Sequence, residues 1–138
     1  MEKTKIVLID SHDLARKQIA KVLRREPAFN VVGEVNNSNE GFVAAYVKRP
    51  DIVLIDPIMP DGLGLEVVRR IATELPGIAQ VVLIAVLDTA TKIELQNLGV
   101  RRILTKDIGS KVLVEALREV ALPPLDAKSI AFDTGRRF

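Results

Sequence analysis

The sequence predicts a doubly wound α/β protein, in which helices cover both faces of a five-stranded parallel sheet. Five short apolar runs recur along the chain, and a segment with helical spacing follows each run. Strands that alternate with helices in this way are typical of βαβ units, whose connections are right-handed. The length of 138 residues suits one such domain.

The predicted strands are short and rich in β-branched residues, as expected for strands buried on both faces. They are Ile6–Ile9, Val31–Val35, Ile52–Ile55, Val81–Val86 and Arg102–Leu104. The predicted helices span residues 13–26, 38–48, 64–75, 89–98 and 110–121. Proline comes within two residues of the end of four of these helices, and Gly99 suits the residue that follows the end of the remaining one.

The first and fifth predicted helices each have an apolar side. In the first, the apolar residues are Leu14, Ile19, Val22 and Leu23, and the basic residues Arg16, Lys17, Lys21 and Arg24 lie elsewhere. In the fifth, the apolar stripe consists of Val112, Leu113, Ala116, Leu117 and Val120. We expect the basic residues of the first helix to form a solvated face, although such a set can also dock an acidic partner.

The composition excludes several classes of function. There is no cysteine and only one histidine, which excludes disulfides, thiol nucleophiles and multi-histidine metal sites. The net charge of +2 is too balanced to indicate nucleic-acid binding by electrostatics. No apolar run approaches the roughly 18 residues of a membrane span, and the N-terminus does not have the pattern of a signal peptide. A cytoplasmic location is therefore the default expectation.

Polar residues follow several of the predicted strands at the edge where ligands of such sheets bind. Strand one ends in Asp10–Asp13, strand three in Asp56, and strand five in Thr105–Asp107, which contains Lys106. We therefore expect two carboxylates and one ammonium to converge at one edge of the sheet.

Each of these residues also has an ordinary structural interpretation. Asp10 and Asp13 suit the capping of the first helix, Asp56 suits a loop before proline, and Lys106 suits a solvated surface position. His12 is either an acid–base or phosphoryl-relay group beside Asp56 or a residue at the start of the helix, and we favour the helix start. The joint placement at three strand ends favours a functional site.

Residues Val53–Glu66 resemble the phosphoacceptor strand and loop of response regulator receiver domains: an apolar strand, an aspartate, Met-Pro, and a glycine before the third helix. Ile6–His12 is similar to the acidic first loop of that family, and Leu104–Asp107 to its lysine loop. Val32–Glu34 resembles receivers that carry helix-turn-helix outputs in particular. The resemblance covers residues 4–121.

The resemblance implies a receiver-like domain over residues 1–121, with the flavodoxin-like (βα)5 arrangement and the strand order 2-1-3-4-5, followed by a C-terminal tail or linker start over 122–138. By the family pattern, Asp56 is the phosphoacceptor and Lys106 pairs with a phosphoryl oxygen. Mg²⁺ would be held by Asp10, Asp56 and the backbone carbonyl of Ile58, with Ser11 as a weak ligand in place of an acid. The domain catalyses at most its own modification, so no enzyme acting on a separate substrate is expected.

The sequence departs from the family pattern at three positions. Ser11 replaces an acid, Ile84 replaces the hydroxyl residue that ends strand four, and Ile103 replaces the aromatic switch residue of strand five. We therefore favour an atypical receiver, in which phosphorylation switching is impaired or absent and the fold serves protein interaction. The alternative is a conventional receiver that a histidine kinase phosphorylates on Asp56 with Mg²⁺ and that controls a transcriptional output.

The resemblance also implies the partners. They are a histidine kinase or another signalling protein. A homodimer through the face of helix four, strand five and helix five, or through helix five alone, is a hypothesis from the resemblance and from the apolar stripe of helix five. Residues 122–138 are too few for a helix-turn-helix domain, so we expect no direct nucleic-acid contact by this chain and no membrane partner. A flavin binder is not expected, because no glycine-rich loop follows strand one and there is no tryptophan.

Overall fold

A computed structural model describes residues 2–122. The strands are β1 (Thr4–Ile9), β2 (Phe29–Val35), β3 (Ile52–Ile55), β4 (Ala79–Ile84) and β5 (Arg102–Thr105). The helices are α1 (Asp13–Arg25), α2 (Ser38–Lys48), α3 (Gly64–Glu74), α4 (Thr89–Asn97) and α5 (Ser110–Ala121). All strand pairs are parallel and the order is β2-β1-β3-β4-β5, which confirms the predicted fold and strand order. The predicted tail lies outside the described residues after Leu122.

The end of β4 differs from the prediction. The apolar run continues to Val86, but the strand ends at Ile84, where its pairing with β5 ends at Thr105. Val86 is 81% exposed. Hydrophobicity alone therefore placed the C-terminal end of β4 too late, because a strand ends where its hydrogen-bonding partner ends.

Two apolar layers lie on opposite faces of the sheet. Successive β1 residues alternate between them, with Ile6 and Leu8 in the cluster that includes α1 and α5, and Val7 and Ile9 in the cluster that includes α3 and α4. All four side chains are at most 1% exposed. This double coverage explains the continuous apolar strands, and it leaves the carboxyl edge of the sheet for polar groups.

The prediction for α1 was wrong at two positions. Arg16, expected on the solvated side, is buried at 8% exposure, and Leu14, expected on the apolar side, is 71% exposed. The Arg16 guanidinium turns towards the carboxyl edge of the sheet, where main-chain and carboxylate oxygens accept its hydrogen bonds. Spacing along one helix does not reveal such partners on neighbouring elements.

The apolar stripe of α5 lies inside the domain. Leu113, Ala116, Leu117 and Val120 are buried against the sheet, whereas Val112 is 50% exposed. The stripe is therefore occupied by the core of the domain and does not itself offer a surface for a second copy. The homodimer stays a prediction from the family resemblance.

The helix ends agree in part with the predicted caps. Gly99 follows the end of α4 with a φ of +82°, as predicted. Asn37 also caps α2, by accepting a hydrogen bond from the Glu40 main chain. By contrast, α1 begins after His12 without a side-chain cap. The capping interpretation of Asp13 was therefore wrong, because its carboxylate accepts a hydrogen bond from Arg16 instead. Among residues 2–122, no helix has the length and apolar character needed to cross a membrane.

Candidate functional site

Three charged side chains converge at the carboxyl edge of the sheet. Asp10 follows β1, Asp56 follows β3 and Lys106 follows β5. Lys106 Nζ lies 2.8 Å from Asp10 Oδ2 and 2.7 Å from Asp56 Oδ2. Both carboxylates are at most 2% exposed. The expected convergence of two carboxylates and one ammonium is therefore present in the structure.

Main-chain hydrogen bonds between neighbouring strands fix the start of each loop. The Asp56 amide donates to the Ile9 carbonyl at 2.9 Å, and the Lys106 amide donates to the Ile84 carbonyl at 2.8 Å. Asp56 Oδ1 also accepts a hydrogen bond of 2.9 Å from the Ile58 amide. The side chains thus project from rigid strand ends, which keeps their separations defined.

The two carboxylates keep Lys106 charged. Burial of the ammonium acts to lower its pKa, but the hydrogen bonds from Lys106 to Asp10 and Asp56 outweigh burial, and the pKa of Lys106 is raised. Two carboxylates and one ammonium leave one net negative charge in a largely buried place. Such a place attracts a further cation.

His12 lies at the start of α1, as we favoured, and its ring also reaches the same site. It precedes α1, and its Nδ1 lies 3.2 Å from Asp10 Oδ1 and 3.5 Å from Asp56 Oδ2. The His12 amide donates to Asp10 Oδ1 at 2.8 Å, so the turn after β1 directs the imidazole inward. The signal in the sequence was the position of His12, two residues after a strand-end aspartate.

Arg16 holds the main chain of Asp10, a role that the helical spacing did not predict. Its Nη1 donates to the Asp10 carbonyl at 2.9 Å and to Asp13 Oδ1 at 2.8 Å, and its Nε lies 3.4 Å from Glu34 Oε1. Arg16 thereby joins the turn after β1 to α1 and β2. Hydrogen bonding and the charge of Arg16 lower the pKa of Asp13.

The three positions that depart from the family pattern lie on or next to the strands that carry the site. Ser11 is partly exposed in the turn that carries Asp10. Ile84 is 1% exposed and ends β4 beside Lys106, and Ile103 is partly buried against the same apolar cluster as Ile84. Neither isoleucine offers a hydroxyl.

The donor groups fit a divalent cation. Asp10, His12 and Asp56 each offer one ligand atom, and these atoms lie within 4.8 Å of one another. Two buried carboxylates supply hard oxygen ligands, and the partly exposed imidazole supplies a nitrogen. The Ile58 amide binds Asp56, while the metal-ligand role of the Ile58 carbonyl stays a prediction.

Comparison with known proteins relates the whole domain to one family. The family model described as "Response regulator receiver domain" matches residues 6–118. The chain is 31% identical over 125 residues to the transcriptional regulatory protein LnrK of Bacillus subtilis, covering 87% of this chain and 57% of that protein. It is 27% identical over 116 residues to the DNA-binding transcriptional activator DevR/DosR of Mycobacterium tuberculosis, covering 84% and 54% respectively. The chain thus spans little more than half the length of these relatives.

Solved structures share the same architecture. The signal receiver domain of NarL from Mycobacterium tuberculosis superimposes with a TM-score of 0.82 at 25% identity, covering 88% of this chain and 98% of that one. A LuxR-family two-component response regulator from Aurantimonas sp. SI85-9A1 gives a TM-score of 0.81 at 23% identity, covering 96% and 99% respectively. The second likeness concerns the fold alone.

Proposed function

This chain belongs to the response regulator receiver domain family, and on that premise we propose that it is an atypical receiver in which Asp56 accepts a phosphoryl group but the conformational response is impaired. The observation that carries the proposal is the pairing of Lys106 with Asp10 and Asp56, at 2.8 and 2.7 Å, beside a buried Ile84. The carboxylate and the ammonium needed for phosphoryl transfer are present. The hydroxyl that would couple a phosphoryl group to the end of β4 is absent at Ile84.

Phosphoryl transfer to Asp56 requires its carboxylate as the nucleophile. A carboxylate oxygen forms a bond to phosphorus while the bond from phosphorus to the donor nitrogen or oxygen breaks, and the leaving group keeps that electron pair. The product is an acyl phosphate on Asp56. Lys106 lies within hydrogen-bonding distance of Asp56 Oδ2, so its ammonium is available to bind a phosphoryl oxygen.

Charge neutralisation decides how well Asp56 accepts the group. A divalent cation, when bound by Asp10 and Asp56, supplies positive charge that offsets the phosphoryl oxygens. Two hydrogen bonds hold the main chain of Asp10 in position. The Asp10 amide donates to the Val35 carbonyl at 3.1 Å, and the Asp10 carbonyl accepts a hydrogen bond from Arg16. Ser11 contributes no charge, so we expect weaker binding of Mg²⁺ than a third carboxylate would give.

The impaired response follows from Ile84 and Ile103. A hydroxyl at the end of β4 would donate a charge-assisted hydrogen bond to the phosphoryl group, worth about 1.5–3 kcal/mol. Allosteric coupling energies are of the same size, about 1–3 kcal/mol. Loss of this one bond is therefore enough to uncouple phosphorylation from the position of β4 and α4. Ile103 packs in the apolar cluster and has no aromatic ring to exchange between two positions.

The alternative is a conventional receiver that a histidine kinase phosphorylates and that controls transcription. It is supported by the relatives, two of which carry the printed names DNA-binding transcriptional activator and transcriptional regulatory protein. Both interpretations share the histidine kinase or another signalling protein as partner. They differ in whether phosphorylation of Asp56 changes the surface formed by α4, β5 and α5.

Intact-mass spectrometry tests the first step. The protein is incubated with acetyl phosphate and Mg²⁺, beside the Asp56→Asn variant and the matched control Asp51→Asn. Asp51 and Asp56 flank the two ends of β3, but Asp51 is exposed and binds the Lys5 amide at the opposite edge of the sheet. We expect a phosphoryl adduct in the wild type and in Asp51→Asn, and none in Asp56→Asn.

The absence of an adduct in the wild type at saturating donor and Mg²⁺ would contradict phosphoryl transfer to Asp56. The domain would then act by protein interaction alone. An adduct together with the full conformational change of a receiver would instead favour the conventional alternative.

A further inference from the structure

The imidazole of His12 lies where a ligand of the proposed cation would lie. Its Nδ1 is 3.2 Å from Asp10 Oδ1 and 3.5 Å from Asp56 Oδ2, although the side chain is 58% exposed. The nitrogen thus faces two buried carboxylates while the rest of the ring is open to solvent.

Two of the three separations between the donor atoms match those of ligands on one metal ion, and the three atoms all lie within 4.8 Å of one another. Nitrogen and oxygen ligands bind transition metals at about 2.0–2.2 Å, so two ligands at about 90–110° to each other lie about 2.8–3.6 Å apart. The observed distances from His12 Nδ1 to the two carboxylates, 3.2 and 3.5 Å, fall in this range. Lys106 Nζ lies 3.5 Å from the same His12 Nδ1 and within 2.8 Å of both carboxylates, so the ammonium moves away when a cation binds.

The ligand types favour a metal other than Mg²⁺. Mg²⁺ prefers an all-oxygen octahedral set, and the serine at position 11 adds no negative charge. An imidazole nitrogen beside two carboxylates suits the first-row transition metals, which bind nitrogen more strongly. The change of one acid to serine therefore weakens the binding of Mg²⁺ more than the binding of a metal that His12 can ligate.

We propose that His12 Nδ1 is a metal ligand together with Asp10 and Asp56, and that the site selects a divalent transition metal such as Zn²⁺ or Mn²⁺ over Mg²⁺. The inference rests on the proposed function, because it uses the same cation site. It adds the identity of the third protein ligand and the class of metal. Ligation uses the neutral imidazole with the proton on Nε2 and the lone pair of Nδ1 free.

Two measurements on the untagged chain test this proposal. The first is electron spin-echo spectroscopy of bound Mn²⁺, which detects a directly coordinated nitrogen. Because His12 is the one histidine of the sequence, an imidazole signal has a single source. The second is a competition titration that gives the ratio of the Zn²⁺ and Mg²⁺ affinities.

The main variant is His12→Asn, since asparagine is favoured before the first turn of a helix and maintains the start of α1. We expect the nitrogen signal to disappear and the Zn²⁺ affinity to fall about tenfold or more, while the Mg²⁺ affinity changes by less than about threefold. Ser11→Asp is the complementary variant: it restores an acid, so its Mg²⁺ affinity rises. Circular dichroism confirms that each variant is folded.

A wild-type Mn²⁺ spectrum without imidazole nitrogen, or an unchanged affinity ratio in His12→Asn, would overturn the proposal. These results are independent of phosphorylation. If Asp56 gains a phosphoryl group with Mg²⁺ but His12→Asn leaves the affinity ratio unchanged, the metal assignment fails and the proposed function stands. If the nitrogen signal is present but no adduct forms with any metal, the proposed function fails and the metal assignment stands.

Discussion

Arg16 connects three parts of the chain through one largely buried guanidinium. It binds the Asp10 carbonyl, the Asp13 carboxylate and Glu34. Replacement by methionine retains much of the apolar stem but leaves these oxygens without their donor. We expect Arg16→Met to lower the free energy of unfolding by about 1–3 kcal/mol, measured by urea denaturation.

Arg24→Met is a matched control for Arg16→Met. Arg24 also binds Glu34, at 3.2 Å, but its side chain is 54% exposed. An exposed ion pair contributes less than about 1 kcal/mol. Equal losses in the two variants would show that Arg16 contributes only as a surface charge and does not hold the turn after β1.

Lys106 gives the site a pH dependence whose sign follows from its raised pKa. A group with a raised pKa in the folded state stabilises the protein below its unfolded value, and this contribution disappears as the pH rises through the folded value. Lys106→Met should therefore be less stable than the wild type at neutral pH, and the difference should shrink above pH 10.5. Urea denaturation at pH 7 and above pH 10.5 measures it, and a difference independent of pH would contradict the ion pairing.

The same replacement tests the competition between Lys106 and a metal. Nζ lies within 2.8 Å of both carboxylates that would bind the cation. Removal of this positive charge should strengthen Mn²⁺ binding, because the ammonium no longer competes for the carboxylates. We expect a gain of about 1 kcal/mol, or about fivefold, since in the wild type the lysine can move into water when a cation binds. A titration that shows weaker Mn²⁺ binding in Lys106→Met would contradict this expectation.

At the scale of elements, Gly64 fixes the loop that carries Asp56 to the start of α3. A Cβ atom at position 64 would overlap the main-chain carbonyl of Pro57, whereas one at Gly77 would meet no atom within 4 Å. We expect Gly64→Ala to cost about 1–3 kcal/mol through overpacking and to slow phosphorylation of Asp56. Gly77→Ala is the control and should stay within about 0.5 kcal/mol of the wild type. Urea denaturation and intact-mass time courses measure both effects.

Most elements could be predicted because their signals are local. The bounds of β3, α2 and α5 agree with the prediction, since an apolar run or a helical period ends there in a proline or a polar turn. β4 was extended too far, because its end depends on pairing with Thr105 of β5. Local patterns thus predict which elements exist, and partners distant in sequence decide where some of them end.

The site could likewise be predicted only where its residues stand at the ends of strands. Asp10, Asp56 and Lys106 stand at strand ends, and parallel strands bring their ends to one edge. Arg16 was misinterpreted because its partners come from a loop and a strand that periodicity does not relate to α1, whereas the position of His12 at the start of α1 was predicted without its contacts. A prediction of the contacts of either residue would have required the direction of the chain after β1, which the main-chain bond from His12 to the Asp10 carboxylate sets.

At the scale of the whole molecule, the site lies at the carboxyl edge of the sheet that separates the two apolar layers. Asp56 is anchored beside β1 at the centre of the sheet, whereas α4 and β5 lie towards one edge. A signal from Asp56 to that edge must pass the end of β4, where Ile84 pairs with Thr105 and its carbonyl accepts the Lys106 amide. A phosphoryl group on Asp56 would have no hydroxyl at position 84 with which to form a hydrogen bond. We therefore expect α4 and β5 to keep their positions after phosphorylation.

Ile84→Thr should restore the coupling. Hydrogen exchange of α4 and β5 is compared with and without acetyl phosphate, and we expect no change in the wild type and altered protection in Ile84→Thr. Val82→Thr is the matched control, because Val82 lies two residues earlier on the same face of β4 and is equally buried. Both variants lose stability by burying a hydroxyl, about 1–3 kcal/mol. Position 84 ends β4 beside Lys106, whereas position 82 pairs with Ile55 within the sheet. Altered protection in the wild type, or equal responses of the two variants, would contradict an uncoupled receiver, because the signal would then travel without a hydroxyl at the end of β4.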